Sequence, residues 1–76
     1  MKKHQPDQLV VCVDNDGYPA SLETRKIYVA LHDADAAKHG MLRIVDESGD
    51  DYLYPQALFR SIDLPPAVKE AVLAAA

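Results

Sequence analysis

The stretch Met41-Leu42-Arg43-Ile44-Val45-Asp46-Glu47-Ser48-Gly49-Asp50-Asp51-Tyr52-Leu53-Tyr54-Pro55 carries the fold in outline. Two runs rich in β-branched or aromatic residues flank a Ser-Gly pair set among acids, and that pattern is a β-hairpin signature. Met41 to Val45 is predicted as one strand, with Leu42 and Ile44 inward and Arg43 outward. Tyr52 to Tyr54 is the returning strand, and Pro55 ends it because proline has no N–H to give the ladder.

Toward the N-terminus, His32 to Gly40 reads as a short helical connection that Gly40 closes in the left-handed conformation. Lys26 to Leu31 precedes it as a strand, with Ile27, Val29 and Leu31 expected on the buried face and Tyr28 and Ala30 on the other. Asp14 to Pro19 gathers turn-forming residues, and Ala20 to Arg25 is an ordered loop in which Leu22 plugs one end of the core. Leu9 to Val13 is the first strand; its unbroken apolar character suits a strand covered on both sides or lying at a subunit contact. Residues 1–8 are polar and read as a flexible tail.

Toward the C-terminus, Gln56 and Ala57 make a turn and Leu58 to Ile62 a fifth short strand. Asp63-Leu64-Pro65-Pro66 then places a capping acid before prolines that suit a first helical turn. The helix spans residues 65–75, with Val68, Ala71, Val72 and Ala75 on one face and Lys69 and Glu70 turned away. The expected architecture is mainly β: a single domain over residues 9–76, a small, bent, five-stranded, partly closed barrel followed by a C-terminal helix.

A long first loop, an acidic hairpin turn and a one-turn connection before the last strand make the order of elements look like a Src homology 3-like barrel. The segments Ala20 to Glu23, Lys26 to Tyr28, Gly40 to Pro55 and Phe59 also resemble a group of short uncharacterised bacterial proteins with that barrel. The likeness covers residues 9–68, and Asp46 to Pro55 is its most specific part. It implies the barrel and brings no catalytic residues with it.

Composition bounds the function. The chain has 76 residues, 49% of them hydrophobic, and a net charge of only −4 from eight Lys and Arg against twelve Asp and Glu, so a folded globule is expected. A chain this short buries only about 60% of its unfolded surface, which leaves a thin margin. The lone Cys12 forms no intrachain disulfide, and no Cys and His cluster has the spacing of a structural zinc site. The apolar runs, Leu9 to Val13 and the alanine-rich Ala71 to Ala76, are far below the roughly 20 residues that span a bilayer. No apolar stretch of secretory length follows the basic start, so a cytoplasmic, reduced protein is expected. The acidic balance disfavours nonspecific phosphate binding.

No catalytic constellation is visible. Asp46, Glu47, Asp50 and Asp51 crowd the hairpin, where a tight exposed turn leaves carboxylates solvated rather than poised for metal or acid–base work. Asp14 and Asp16 lack the ligand series of a calcium loop. His4, His32 and His39 have no metal-pair spacing, Cys12 reads as a small core hydrophobe, and Ser21, Ser48 and Ser61 sit in no nucleophile elbow. No cofactor or metal is expected.

The aromatic set carries more. Tyr52 and Tyr54 project to one side of their strand, and with Leu53 inward both rings fall on the outer face, where Tyr28 joins them. Such rings either anchor a partner or cover the base of the C-terminal helix as a second small core. The leading expectation is a non-enzymatic interaction module that binds a protein partner or itself through Tyr28, Tyr52, Tyr54, Asp50 and Asp51. A homodimer would bury the apolar surplus of Leu9 to Val13 and of Val68, Val72 and Leu73. The alternative is a nucleic-acid- or ribosome-associated barrel, with Lys26, Arg43 and Arg60 on one surface and tyrosines for base stacking.

Overall fold

In a computed structural model of the chain, residues 8–75 are described; the expected tail lies outside them except for Gln8, which opens the first strand. The strands are β1 (Gln8–Cys12), β2 (Ile27–Leu31), β3 (Met41–Val45), β4 (Asp51–Pro55) and β5 (Phe59–Ser61). A short helix α1 (Ala34–Lys38) joins β2 to β3, a 3-10 turn (Gln56–Leu58) joins β4 to β5, and α2 (Pro66–Ala75) follows. All pairings are antiparallel, in the order β4-β3-β2-β1-β5, and the sheet curls into a half-barrel. The mainly β, Src homology 3-like barrel with a C-terminal helix is therefore the fold.

Local chemistry places each element where the sequence puts it. Asp33 caps α1 by accepting the Ala36 N–H at 3.0 Å, and its other carboxylate oxygen accepts the Arg43 Nε at 2.9 Å from β3. Gly40 ends the connection at φ +70°, a conformation that costs glycine nothing. Pro55 is the last residue of β4, an edge strand, where the missing N–H is tolerated. The first carbonyl of α2 to accept a helical bond is that of Pro65, from Lys69 at 2.9 Å, so the cap is Pro65 rather than Asp63.

The core combines Val10 and Cys12 of β1, Leu22 from the first loop, Tyr28 and Ala30 of β2, Ile44 of β3, Tyr54 of β4, and Leu58 and Phe59. Leu22, Ile44 and Cys12 have no exposed surface at all. Burying a large apolar side chain of this kind contributes about 1.5–3 kcal/mol, so a loop leucine matters as much as a strand residue. Leu22 is the plug anticipated from the sequence.

Two strand faces differ from expectation. Tyr28 and Ala30 face the core while Ile27, Val29 and Leu31 lie on the convex side, and Tyr54 is buried while Leu53 is exposed. The reason is register. Directly paired residues share a face, and Ile44 pairs with Ala30 on one side and with Tyr52 on the other. Once Ile44 is inward, Tyr28, Ala30, Tyr52 and Tyr54 must be on its side; a slip of one residue would reverse all of them. The rings of Tyr28 and Tyr54 therefore join the main core rather than the base of α2, each meeting Phe59 edge-on with centroids 6.4 Å apart, while Tyr52 stays more than half exposed.

The apolar surplus sits where these reversed faces leave it. Leu9, Val11, Ile27, Val29 and Val45 share the convex face, and of these only Leu9 is fully buried. In α2 no described residue is buried; the partly covered side is Lys69, Val72 and Leu73, and Val68 remains 46% exposed. Lys69 thus lies toward the surface it was expected to avoid, as a lysine does when its aliphatic stem covers apolar atoms.

Candidate partner-binding groove

The first loop and the β3–β4 hairpin come together at one end of the half-barrel. Asp14 accepts the Asp16 N–H at 2.9 Å, Gly17 turns the chain at φ +90°, and the Tyr18 N–H reaches the Asn15 carbonyl at 2.8 Å. Asn15 Nδ2 then donates to the Leu22 carbonyl at 2.9 Å, closing the loop around its core plug. The Glu47 N–H donates to the Ser21 carbonyl at 3.1 Å, so the loop is tied directly to the hairpin.

On the hairpin side, Asp46 organises the turn. Its Oδ1 accepts from the Ser48 N–H at 2.8 Å and from the Ser48 hydroxyl at 2.5 Å, while Oδ2 accepts from the Tyr54 hydroxyl at 2.5 Å. Asp46 is only 7% exposed. Burial pushes its carboxyl up, but the hydrogen bonds from Ser48 and Tyr54 outweigh that and hold it below the usual carboxylate range. Tyr54 responds in the opposite sense: burial first, then the Asp46 carboxylate, raises its phenol. The turn is not the uniformly solvated acid cluster that its composition suggests, because two of its four acids meet tyrosine hydroxyls.

The second such pair involves Glu47, on the other side of the loop attachment. Glu47 Oε2 accepts from the Lys26 ammonium at 2.5 Å and from the Tyr28 hydroxyl at 2.6 Å, and the same hydroxyl accepts the Glu23 N–H at 2.7 Å. Lys26 first, and Tyr28 after it, hold Glu47 below its ordinary value; burial and then Glu47 push Tyr28 well up. Each tyrosine has a buried ring and a hydroxyl that finds an acceptor at the rim, the arrangement that lets tyrosine serve in a core.

Between loop and hairpin lies an open groove of about 440 Å³, lined by Tyr18, Ser21, Asp46, Ser48, Tyr52, Leu53 and Tyr54. Tyr54 is its floor, and Tyr18 stacks edge-on against it with centroids 4.9 Å apart and planes at 85°. Tyr18 and Tyr52 are 37% and 53% exposed, so each presents much of its ring to solvent.

Of the residues singled out from the sequence, Tyr52 and Tyr54 meet here, Tyr52 accessible and Tyr54 not. Tyr28 is buried outside the groove, which removes it from any outer face. Asp50 is exposed at the hairpin tip, whereas Asp51 pairs with Val45 on the convex face and binds Arg43 at 3.0 Å. Tyr18, Ser21, Asp46 and Ser48 were not anticipated as groove residues. The Asp-x-Ser spacing of Asp46 and Ser48 is the one signal for part of this set, since it is an Asx-type turn signature.

The three cations expected to form a nucleic-acid surface are engaged within the chain. Lys26 binds Glu47 and Glu23, Arg43 binds Asp33 and Asp51, and Arg60 donates to the carbonyls of Ala57 and Phe59. Cys12 is buried with its thiol pKa raised by desolvation, the state of a structural rather than a reactive thiol. Among the described residues no helix is long and apolar enough to cross a membrane, and no three His, Cys, Asp or Glu side chains group as metal ligands. No family model, no curated protein and no solved structure matches the chain.

Proposed function

We propose that this chain is a non-enzymatic interaction module that binds a protein partner through the groove between the first loop and the β3–β4 hairpin. One observation carries the reading: Tyr18 and Tyr52 stand exposed on a groove whose floor and wall, Tyr54 and Asp46, are locked by hydrogen bonds. Exposed tyrosines on a rigid support supply contact area at low entropic cost, which is what anchors a partner. The polar groups of the groove serve structure rather than proton transfer. Asp46 is fully engaged as a carboxylate and Tyr54 is held as a neutral phenol, so neither is a free base or acid.

Self-association belongs to the same proposal but to another surface. The uncovered side of α2 with Val68, together with the aliphatic convex face, is apolar area that a second copy would cover. The buried free Cys12 suits a reducing, cytoplasmic setting, and kinship with the short bacterial barrel proteins is part of this reading. The nucleic-acid alternative draws less support, because Lys26 and Arg43 already have acidic partners.

The test is photo-crosslinking in cells from a benzophenone side chain placed at Ser48. The expected result is a discrete crosslinked protein whose yield collapses with Tyr18→Ala or Tyr52→Ala. Crosslinks that persist unchanged in both variants would overturn the groove.

A further inference from the structure

The sheet leaves β4 at an edge, and the phase of its ladder determines which backbone groups are unused. At one end of the hairpin the Asp46 N–H donates to the Asp50 carbonyl at 3.0 Å, and at the other the Gln56 N–H donates to the Gly40 carbonyl at 2.9 Å. Both bonds are in phase with the pairs Ile44–Tyr52 and Leu42–Tyr54. In an antiparallel pair hydrogen-bonded positions alternate with non-bonded ones, so Tyr52 and Tyr54 spend their backbone groups on β3. Asp51 and Leu53 turn theirs to the open edge, which ends at Pro55, whose carbonyl caps the 3-10 turn. By this phase the N–H and C=O of Leu53 point away from β3, and among the described residues no loop or cap bond reaches them. An unpaired edge of this kind is a template for an added strand.

The groove lies along this edge. A strand added beside β4 would place alternate side chains next to Tyr52 and Tyr54, directly over the groove, and the intervening ones next to Leu53 on the convex side. Charge selects the occupant. The groove is lined by the Asp46 carboxylate and by no Lys or Arg, Asp50 at its tip makes no ion pair among the described residues, and Lys26 and Arg43 are bound elsewhere. Asp46 is answered only by the neutral donors Ser48 and Tyr54, so its charge is not cancelled. A cation entering the groove meets the exposed tyrosines Tyr18 and Tyr52 and the uncancelled charge of Asp46 beneath them, and each attracts it.

We infer that the free edge of β4 is a strand-addition site for an extended basic segment of a partner protein, whose alternate Lys or Arg side chains enter the groove between Tyr18 and Tyr52 beside Asp46. The inference rests on the groove reading and names its occupant. Main-chain bonds to Asp51 and Leu53 supply affinity, and the groove supplies the preference for basic side chains.

The experiment is selection of decapeptides from a random displayed library against the full chain, followed by titration of the enriched peptides into the isotope-labelled chain. Enriched peptides are expected to alternate Lys or Arg with β-branched residues. They should slow amide exchange at Leu53 by about tenfold or more, as a newly bonded N–H requires. N-methylation of the peptide at alternate positions should weaken binding by about tenfold, and Asp50→Asn in the chain by less. These changes leave the fold of the barrel intact. Peptides that shift Tyr18 and Tyr52 while Leu53 exchange stays unchanged, or that are acidic or proline-rich, would overturn strand addition and leave the groove standing. Protection at Leu53 that rises with chain concentration in the absence of peptide would assign the edge to a second copy, against the inference. If no enriched peptide perturbs either Tyr18 or Tyr52, both readings fall.

Discussion

The β3–β4 hairpin and helix α2 invert the usual association between apolar character and burial. The hairpin turn is crowded with acids, yet Asp46 is buried and its oxygens are occupied by Ser48 and Tyr54. Helix α2 is mostly alanine and valine, yet none of its described residues is buried. A carboxylate can be taken from water when each oxygen has a donor within reach, whereas an apolar stripe is covered only when a complementary surface lies opposite it. The hairpin is therefore a structural keystone despite its charge, and α2 an appendage despite its hydrophobicity.

The strongest break of this contrast is Tyr54→Ala. Removing a buried ring should cost about 3–5 kcal/mol, a large part of the roughly 5–15 kcal/mol of a small domain, so urea melts should show a chain near or past its unfolding threshold. Tyr54→Phe sharpens the cause by removing only the hydroxyl, which leaves a buried acceptor on Asp46 short of a donor. A loss of about 1–3 kcal/mol is expected, and an unchanged urea midpoint would mean that the Asp46 bond is not supporting the turn.

Acid should weaken the hairpin through the same groups. Asp46 and Glu47 both have folded pKa values below their ordinary ones, so the stability they add is present above the ordinary carboxylate range. It is lost as pH falls through the depressed folded values. Thermal midpoints followed from neutral pH downward should fall below about pH 4, and less steeply in Asp46→Asn.

Across the comparison, Val72→Ala in α2 should cost less than about 1 kcal/mol in the same urea assay, since its side chain is only partly covered. A cost matching that of Tyr54→Ala would show α2 to be part of the core. The smallest stability effect belongs to Tyr52→Ala, within about 0.5 kcal/mol, because the ring is more than half exposed. Its crosslinking yield should nevertheless collapse, which separates a binding residue from a supporting one two positions along the same strand.

Those two tyrosines also mark how far the sequence could be read. Alternation puts both on one side of β4, but apolar content alone points that side outward, whereas the structure turns it to the core. Composition made Leu53 and the Ile27, Val29, Leu31 set the better core candidates, and nothing in a strand with apolar residues on both faces contradicts that choice. What decided it was the pairing of Val45 with Asp51, which sends Tyr52 to the face of Ile44. For the groove, Tyr18 and Asp46 lie 28 positions apart in the chain and become neighbours only when the first loop is bonded to the hairpin through Ser21 and Glu47.

Turn chemistry and alternating hydrophobicity, which are local, determined the five strands, the capped connection before Gly40, the plug at Leu22, the C-terminal helix and the barrel they build. Register and the reach of tyrosine hydroxyls to Asp46 and Glu47, which exist only between segments, decided which faces are inside and where the groove opens. A strand's periodicity of two records that its faces differ, and only its hydrogen-bonded neighbours determine which of them meets the core.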